Sequence, residues 1–221
     1  MNFSLANAPA TFQTMMNDIF VVYIWWGNTG VYINDVIIGT HSDPTGVLDD
    51  LAFHKKSVRE VLQVFREQKL FFKPEKCEFS QQKVEYLGFV ITGDHMMMDP
   101  TKVDGIKSWP IPTNLKQLCS FIGFLNFYRR FIKDFSSIAR PLHDLTKTDV
   151  PWTWKEIQQE AFDKLKEAIC TALVLAHPDT LQPFMVKTDT SNFAIRAVLL
   201  QKQSDDKWHP VAFLSKSMDN T

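Results

Sequence analysis

The sequence has 221 residues, 45% of them hydrophobic, and its eighteen Phe and six Trp exclude a chain that is disordered over its whole length. Its three cysteines, Cys77, Cys119 and Cys170, have no CxxC spacing, which argues against a disulfide framework or structural zinc and favours an intracellular location. No apolar segment has the length of a membrane span, and the first 20 residues lack the pattern of a signal peptide. We expect a packed protein without membrane contact.

The charge is unevenly distributed, although the net charge is only −1. Residues 1–50 contain five Asp and no Lys or Arg, whereas residues 101–150 contain eight basic and four acidic side chains. A cation-binding cleft beside a phosphate-binding surface has this asymmetry, and so does a scatter of charges over solvated faces. Charge alone favours the scatter.

The first part of the chain predicts a helix, a hairpin and a second helix. Residues 9–20 keep apolar side chains at helical spacing behind Pro9, which suits the first turn of a helix. The apolar run at residues 31–38, VYINDVII, predicts strands interrupted by the polar pair Asn34 and Asp35. A polar turn follows, and the next apolar periodicity predicts a helix that ends near Leu70.

The middle of the chain predicts short strands and then several helices. The strand-like segments are around Phe71–Phe72 and Val84–Thr92. Asp99 and Pro100 are the expected N-cap and first residue of a helix, and Thr113 is the expected cap of a long helix from Leu115 to about Ile132. Further helices are predicted after Ser136 and over Lys155–Cys170, and Cys119 is expected as a small buried side chain.

The last part of the chain changes to strand patterns. The segments FMVKTDTSNFAIRAVLLQ and HPVAFLSK predict strands joined by the polar turn at residues 203–207. The order of elements is therefore helix, hairpin, helix, strands, several helices and a β-meander. This order predicts an α+β fold in more than one unit.

The polar pair in VYINDVII has two interpretations. A hairpin tip that carries carboxylates can hold hard divalent cations, because Mg²⁺ prefers oxygen ligands. Two such ions activate the attacking oxygen and stabilise the leaving oxygen in phosphoryl transfer. On spacing alone, however, an Asn-Asp pair is more often an ordinary turn.

Three motifs in order change that balance: FSLANAPATFQ at residues 3–13, VYINDVII at 31–38 and EYLGFVI at 85–91. Together they resemble the reverse transcriptase of gypsy-type long-terminal-repeat retrotransposons. The resemblance continues through MDPTKVDGIKSWPIPTNLKQLCSFIGFLNFYRRFIKDFSSIARPLHDLTK to TDTSNFAIRAVLLQ and covers essentially the whole chain. Several long motifs in family order are a stronger signal than any single one.

The resemblance implies an α+β fold with a right-hand polymerase palm and thumb, without the fingers, followed by the first strands of a ribonuclease H-like sheet. The implied domains are a partial palm at 1–92, a helical thumb at 93–150, a helical connection at 151–181 and a truncated ribonuclease H-like domain at 182–221. The resemblance also implies an RNA or DNA template with its primer and deoxynucleoside triphosphates as partners, and a cytoplasmic particle or the nucleus as location.

The resemblance assigns roles to individual residues in the palm. In VYINDVII, Asp35 would hold metal, Asn34 would occupy a ligand position poorly, and Tyr32 would support the hairpin. Gln13 lies in the motif of the helix that supports the template and the incoming nucleotide. The YLGFVI segment resembles the hairpin that grips the primer terminus, which makes its first residues candidates for nucleic-acid contact: Tyr86, Leu87 and Gly88.

In the thumb, the resemblance makes Arg129, Arg130 and Lys133 candidates for contacts with phosphates, and a solvated helix face is an equally good interpretation. In the ribonuclease H-like segment, Asp189 corresponds to the first metal-binding carboxylate of that nuclease. The family's other nuclease carboxylates lie beyond the last residue of this chain. Arg196 stands where the family prefers a small Gly.

The implied activity is RNA-directed DNA synthesis by a two-ion Mg²⁺ site, with an attached ribonuclease H. The family has Asp where this chain has Asn34, and its other palm carboxylate precedes the NAPATFQ motif. Losing anionic ligands from a two-ion site costs orders of magnitude in rate, so the chain as given is predicted to be inactive. The alternatives are a non-catalytic nucleic-acid-binding or interaction module and a pseudogene fragment.

Overall fold

The structure, a computed structural model, describes residues 6–40, 43, 45–172, 174–179, 182–190 and 194–218. Backbone contacts divide the chain into two units, Met1–Phe79 and Ser80–Thr221. The domains predicted from the sequence follow a different division, which rests on resemblance and stays a prediction. Within the described ranges, no helix is both long and apolar enough to cross a membrane.

The first unit contains helices around one short antiparallel hairpin. Its described elements are α1 (Ala8–Ile19), α2 (Val21–Trp25), β1 (Thr29–Tyr32), β2 (Asp35–Ile38) and α3 (Asp50–Glu67). Pro9 lies in the first turn of α1, as predicted. Met16, Phe20 and Val61 form a small buried core, while Trp25 and Trp26 of the α2 segment are exposed. The core of this unit therefore leaves large aromatic side chains in solvent.

A single carboxylate organises the segment before α3. Asp43 accepts hydrogen bonds from the backbone N–H and hydroxyl of Thr45 and from the backbone N–H groups of Val47 and Leu48. These bonds, the Thr45 hydroxyl foremost, stabilise the charged form and lower the pKa of Asp43 to about 2. Such side-chain bonds to nearby backbone are typical of Asp in turns.

The second unit begins with a four-stranded antiparallel sheet in the order β3-β4-β5-β6. Its strands are β3 (Lys83–Tyr86), β4 (Phe89–Thr92), β5 (His95–Met98) and β6 (Leu175–Ala176). The strand-like segment Val84–Thr92 forms two strands and not one, because Leu87 and Gly88 turn the chain back on itself, and this gives the hairpin that the resemblance implied for YLGFVI. The strand predicted at Phe71–Phe72 is wrong, since that segment is irregular and Phe71 is almost fully exposed.

Four helices of the second unit pack around one aromatic core. They are α4 (Pro100–Lys107), α5 (Leu115–Phe127), α6 (Phe135–Asp144) and α7 (Glu156–Cys170). The Phe121 and Phe162 rings are 4.5 Å apart at its centre, and both side chains are buried. Beside the core, Trp152 stacks on Trp154, whose indole N–H donates to Gln159.

The predicted helix starts and ends agree only in part with the structure. Asp99 caps α4 through the backbone N–H of Thr101, as predicted. Thr113 is not the cap of α5, because Asn114 accepts from the backbone N–H of Gln117 instead. Cys119 is exposed and not buried, because its neighbours Leu118, Phe121 and Ile122 take the core positions.

The long helix predicted to reach Ile132 is wrong. Helix α5 ends at Phe127, Arg129–Phe131 form a 3₁₀ turn, and α6 starts after Asp134, whose φ of 59° is left-handed. The helical spacing of buried Tyr128, Phe131 and Phe135 is real, but two short helices and a turn satisfy it as well as one helix would.

A three-stranded antiparallel sheet ends the second unit, with strands β7 (Phe184–Thr190), β8 (Ala194–Lys202) and β9 (Trp208–Ser217). The turn between β8 and β9 lies at residues 203–207, as predicted. At the junction with α6, the backbone N–H of Ser136 donates to the hydroxyl of Ser215 (3.0 Å), and the hydroxyl of Ser136 donates to the carbonyl of Ser215 (2.8 Å).

Candidate functional site

The VYINDVII segment forms the β1–β2 hairpin, with Tyr32 paired to Asp35 and a two-residue turn at Ile33 and Asn34. Asn34 and Asp35 are both exposed at the tip, and Tyr32 precedes the turn with its side chain half in solvent. The two interpretations of the polar pair are therefore compatible: it forms a turn, and the turn presents a carboxylate to solvent.

The turn is held by the side chain of Gln13 in α1. The backbone N–H of Ile33 donates to Gln13 Oε1 (2.6 Å), and Gln13 Nε2 donates to the Val31 carbonyl (3.2 Å) and to Asn17 Oδ1 (2.8 Å). Ile33 has a φ of 51°, a left-handed conformation that is strained for a β-branched residue. Gln13, predicted to contact nucleic acid, thus has both polar atoms on the hairpin and its own helix.

The donors at this tip do not fit a two-ion Mg²⁺ centre. Asn34 Nδ2 donates to Asp35 Oδ1 (3.3 Å), so the amide turns a proton donor, and not an oxygen, toward the only carboxylate of the pair. Mg²⁺ requires near-octahedral oxygen ligation. Among the residues that the structure describes, no group of three or more His, Cys, Asp or Glu side chains could hold a metal ion. Metal binding by Asp35 and Asp189 stays a prediction.

The YLGFVI segment forms the β3–β4 hairpin, whose turn is Leu87–Gly88. Both residues have positive φ, 51° and 77°, as a type I′ turn requires. The Gly88 carbonyl accepts from the Tyr128 hydroxyl (3.3 Å) and from the Asp99 backbone N–H (3.1 Å). A Cβ atom at position 88 would lie 2.6 Å from the Tyr128 hydroxyl oxygen, so this turn requires glycine for both conformation and space.

Tyr128 fixes the β3–β4 turn to the end of α5. Its ring packs against Phe89, Phe124 and Phe127, with ring centroids 5.4, 5.2 and 4.9 Å away. Burial, and secondarily the negative charge of Asp99, raise the pKa of the Tyr128 hydroxyl, which keeps it protonated and able to donate. The sequence motifs do not single out this residue, although a glycine inside an apolar strand pattern is a signal for a close neighbour.

The three predicted phosphate ligands of the thumb differ in their surroundings. Arg129 donates to Asn126 Oδ1 (3.2 Å) and to the Ser215 carbonyl, so it joins α5 to β9. Arg130 is half-buried, its Nε atom has no hydrogen-bond partner in the described part of the chain, and burial lowers its pKa. Lys133 is exposed. Lys133, two residues after the 3₁₀ turn, is therefore the most exposed of the three.

Asp189 lies on β7 directly opposite Arg196 on β8. Arg196 Nη2 is 2.9 Å from Asp189 Oδ2, which makes a close cross-strand ion pair. Ser191, the last residue of the TDTS motif that contains Asp189, lies outside the described residues. The same holds for Phe3–Leu5 at the start of the first motif.

The first and the last part of the chain each match a known protein family. Residues 1–91 match the family described as reverse transcriptase (RNA-dependent DNA polymerase), and residues 154–221 match the RNase H-like domain found in reverse transcriptase. The chain is 37% identical over 232 residues to the retrovirus-related Pol polyprotein from transposon opus of Drosophila melanogaster. It is 33% identical over 218 residues to the transposon Tf2-3 polyprotein of Schizosaccharomyces pombe.

These alignments cover 99% of this chain but only 22% and 16% of the two polyproteins. Among solved structures, the foamy viral protease-reverse transcriptase in complex with an RNA/DNA hybrid matches with a TM-score of 0.79 and 24% identity, over all of this chain and 28% of that one. The same viral protein in complex with double-stranded DNA matches with a TM-score of 0.77 and 23% identity, over all of this chain and 44% of that one. This likeness shows a shared fold.

The α+β fold predicted from the sequence, a polymerase palm and thumb followed by ribonuclease H-like strands, is therefore confirmed. The predicted family is confirmed as well, because both matched families and both polyproteins point to the same kind of element. Residues 1–91 thus match the reverse transcriptase family and residues 154–221 its RNase H-like domain, and the chain is similar over 99% of its length to transposon polyproteins.

Proposed function

We propose that this chain binds a primer–template duplex of RNA or DNA and does not extend the primer. Duplex binding is inferred mainly from the β3–β4 turn. The Gly88 carbonyl in this turn accepts hydrogen bonds from the Tyr128 hydroxyl and from the Asp99 backbone N–H. A turn held at this point presents Tyr86 and Leu87 in one orientation. Preorganised contacts of this kind are what a nucleic-acid interface needs in order to bind without a large ordering cost.

Two further observations support duplex binding. The foamy viral enzymes that share this fold were solved with double-stranded DNA and with an RNA/DNA hybrid. The segment at residues 101–150 carries eight basic and four acidic side chains, and Lys133 lies exposed within it. Exposed bases of this kind bind phosphates without reading the sequence.

The absence of primer extension rests on the β1–β2 tip. When bound, two Mg²⁺ ions would activate the primer hydroxyl and stabilise the leaving pyrophosphate. Asp35 contributes one carboxylate, and Asn34 contributes a neutral amide whose N–H points to that carboxylate. Nothing in this pair holds a second ion. Nucleotide addition is therefore a property of the lineage, and duplex binding is the function proposed for this chain.

Fluorescence anisotropy with a labelled RNA–DNA primer–template, at two salt concentrations, tests the binding. We expect affinity to fall steeply with salt, because phosphate contacts release counterions. Lys133→Ala should reduce the slope of log affinity against log salt by about 1, the change expected for one phosphate contact. Lys164→Ala is the control, since Lys164 is an exposed lysine already paired with Glu160. A folded protein that shows no duplex binding would refute the proposal.

A primer-extension assay with Mg²⁺ and all four deoxynucleoside triphosphates tests the second part of the proposal, that the chain does not add nucleotides. We expect no extension by the chain, while an active reverse transcriptase extends the same primer as a positive control. Asp35→Ala should leave duplex affinity unchanged, because the carboxylate is not needed for phosphate contacts. Extension by the unchanged chain that Asp35→Ala abolishes would show that the tip is catalytically competent.

A further inference from the structure

Arg196 occupies an unusual position between two carboxylates from different elements. Its Nη2 atom is 2.9 Å from Asp189 Oδ2 on β7, and its Nη1 atom is 3.6 Å from Asp134 Oδ1 at the start of α6. The β7–β8 register places Asp189 and Arg196 directly opposite each other. One guanidinium therefore lies between the sheet and the helical segment of the same unit.

The guanidinium and one of its two partners are largely withdrawn from water. The side chains of Arg196 and Asp134 are each 30% exposed, whereas Asp189 is 70% exposed, so the cation and one of its partners are mostly withdrawn from water. The planar guanidinium fork of an arginine suits two separate oxygen partners. The guanidinium partly neutralises both carboxylates without any bound ion.

This arrangement is incompatible with the metal-binding role that the resemblance assigns to Asp189. A Mg²⁺ ion would need to lie about 2.1 Å from a carboxylate oxygen and to keep near-octahedral ligation. The Nη2 atom of Arg196 already lies against Asp189 Oδ2, and its positive charge would repel the ion. In the described ranges no third acidic, His or Cys side chain completes a metal-binding group here.

The same contacts give Arg196 a structural role at the junction of α6 and the sheet. Two residues after Asp134, Ser136 donates two hydrogen bonds to Ser215 of β9, and Arg129 donates to the Ser215 carbonyl. The ion pair adds β7 and β8 to this junction. We propose that Arg196 has two roles. Its ion pairs hold β7 and β8 to the start of α6, and its positive charge prevents a divalent metal ion from binding to Asp189.

Mn²⁺ titration followed by electron paramagnetic resonance of the free ion tests the exclusion. Wild type and Asp189→Asn should give the same curve. Arg196→Met, which keeps the stem and removes the charge, should bind one Mn²⁺ at least about tenfold more tightly than wild type does, because both carboxylates then lose the cation that contacts them. Adding Asp189→Asn to Arg196→Met should remove that gain. Mn²⁺ binding by wild type that Asp189→Asn abolishes would overturn the proposal, and so would the absence of any gain in Arg196→Met.

Thermal unfolding tests whether the ion pairs of Arg196 stabilise the junction of β7 and β8 with α6. Asp134→Asn should lower the Tm of the second unit by about 2 °C in wild type and by much less when Arg196 is already Met, because the partner charge is then gone. The control is Asp206→Asn, which breaks an exposed pair with Lys202 on the same sheet and should leave the Tm almost unchanged. If Asp134→Asn lowers the Tm equally in both backgrounds, the ion pair between Arg196 and Asp134 does not stabilise the junction.

Discussion

The β1–β2 and β3–β4 hairpins both have four-residue strands and a two-residue turn, but they are stabilised in different ways. In β1–β2 the turn is held by a polar side chain, Gln13, and contains a strained residue, Ile33. In β3–β4 the turn contains Gly88, which suits its conformation, and is held by Tyr128 from an aromatic core. The first hairpin presents its functional side chains to solvent, and the second is built on a buried support. The difference lies in what supports the hydrogen-bond donor or acceptor that holds each turn: an amide side chain on α1 in the first, and a hydroxyl on a ring packed in an aromatic cluster in the second.

The largest expected effect is at Gly88. Gly88→Ala should lower the free energy of unfolding of the second unit by about 2–4 kcal/mol, because it combines a left-handed backbone with a clash against the Tyr128 hydroxyl. Urea denaturation measures this. Gly93→Ala is the matched control, since Gly93 lies outside the left-handed region and a Cβ there meets open space.

A double-mutant cycle separates the clash from the backbone strain. Tyr128→Phe removes the hydroxyl oxygen that would lie 2.6 Å from a Cβ atom at position 88 and keeps the ring in its aromatic cluster. Gly88→Ala should therefore cost less in the Tyr128→Phe background than in wild type. Equal costs in both backgrounds would mean that the hydroxyl does not constrain the turn.

Gln13→Ala should have the next largest effect. It leaves the partly buried N–H of Ile33 without its partner, which costs about 1–2 kcal/mol in the first unit. Hydrogen exchange of the Ile33 amide should become faster together with the loss of stability. Gln63→Ala, on α3, removes only an exposed bond to Glu67 and serves as control. An Ile33 amide that stays protected after Gln13→Ala would contradict the assigned support.

The strain at Ile33 predicts a smaller difference between two equal substitutions. Ile33→Asn and Ile37→Asn both replace a half-buried isoleucine of the same hairpin. Asn tolerates the left-handed conformation that Ile33 adopts, so Ile33→Asn should cost about 1 kcal/mol less than Ile37→Asn. Chemical denaturation of the two variants measures the difference. Equal costs would indicate that Ile33 is not strained.

The smallest expected effect concerns the pH dependence of stability at Asp99, whose backbone N–H donates to the Gly88 carbonyl in the β3–β4 turn. Hydrogen bonds from the hydroxyl and backbone of Thr101 lower the pKa of Asp99. A lowered folded-state pKa adds stability above the unfolded value of about 4 and loses it as the pH falls below that value. Stability of the second unit should therefore decline from about pH 5 toward about pH 3. This decline should be shallower in Asp99→Asn, and an unchanged decline would rule out this contribution.

Local signals in the sequence predicted a substantial part of the fold. Pro9 in the first turn of α1, the Asp99 cap of α4 and the turn at 203–207 depend on neighbouring residues, and each was found as predicted. The end of α5 was not predicted, because the apolar spacing of Tyr128 and Phe131 fits one helix as well as two. Periodicity reports which side chains are buried and not whether the backbone is continuous.

The supports of the candidate sites could not be predicted, because they join residues far apart in the chain. Gln13 and Ile33 are separated by 20 residues, Gly88 and Tyr128 by 40, and Arg129 and Ser215 by 86. A polar side chain has no local pattern that names such a partner. The motifs therefore identified Asn34, Asp35 and Asp189 as candidates, while the side chains that orient or neutralise them emerged only from the structure.

The distribution of tryptophans gives each unit its own optical signal. Trp25 and Trp26 belong to the first unit and are 86% and 61% exposed, whereas Trp152 and Trp154 stack on each other in the second unit. Indole emission shifts to shorter wavelength when the ring leaves water, and collisional quenchers reach exposed rings first. Iodide should therefore quench a red-shifted component that comes mainly from Trp25 and Trp26 of the first unit, with a smaller share from Trp208 of the second unit, which is 41% exposed. The quenchable and the shielded parts of the emission of one unlabelled chain can thus report mainly on the first and on the second unit, respectively.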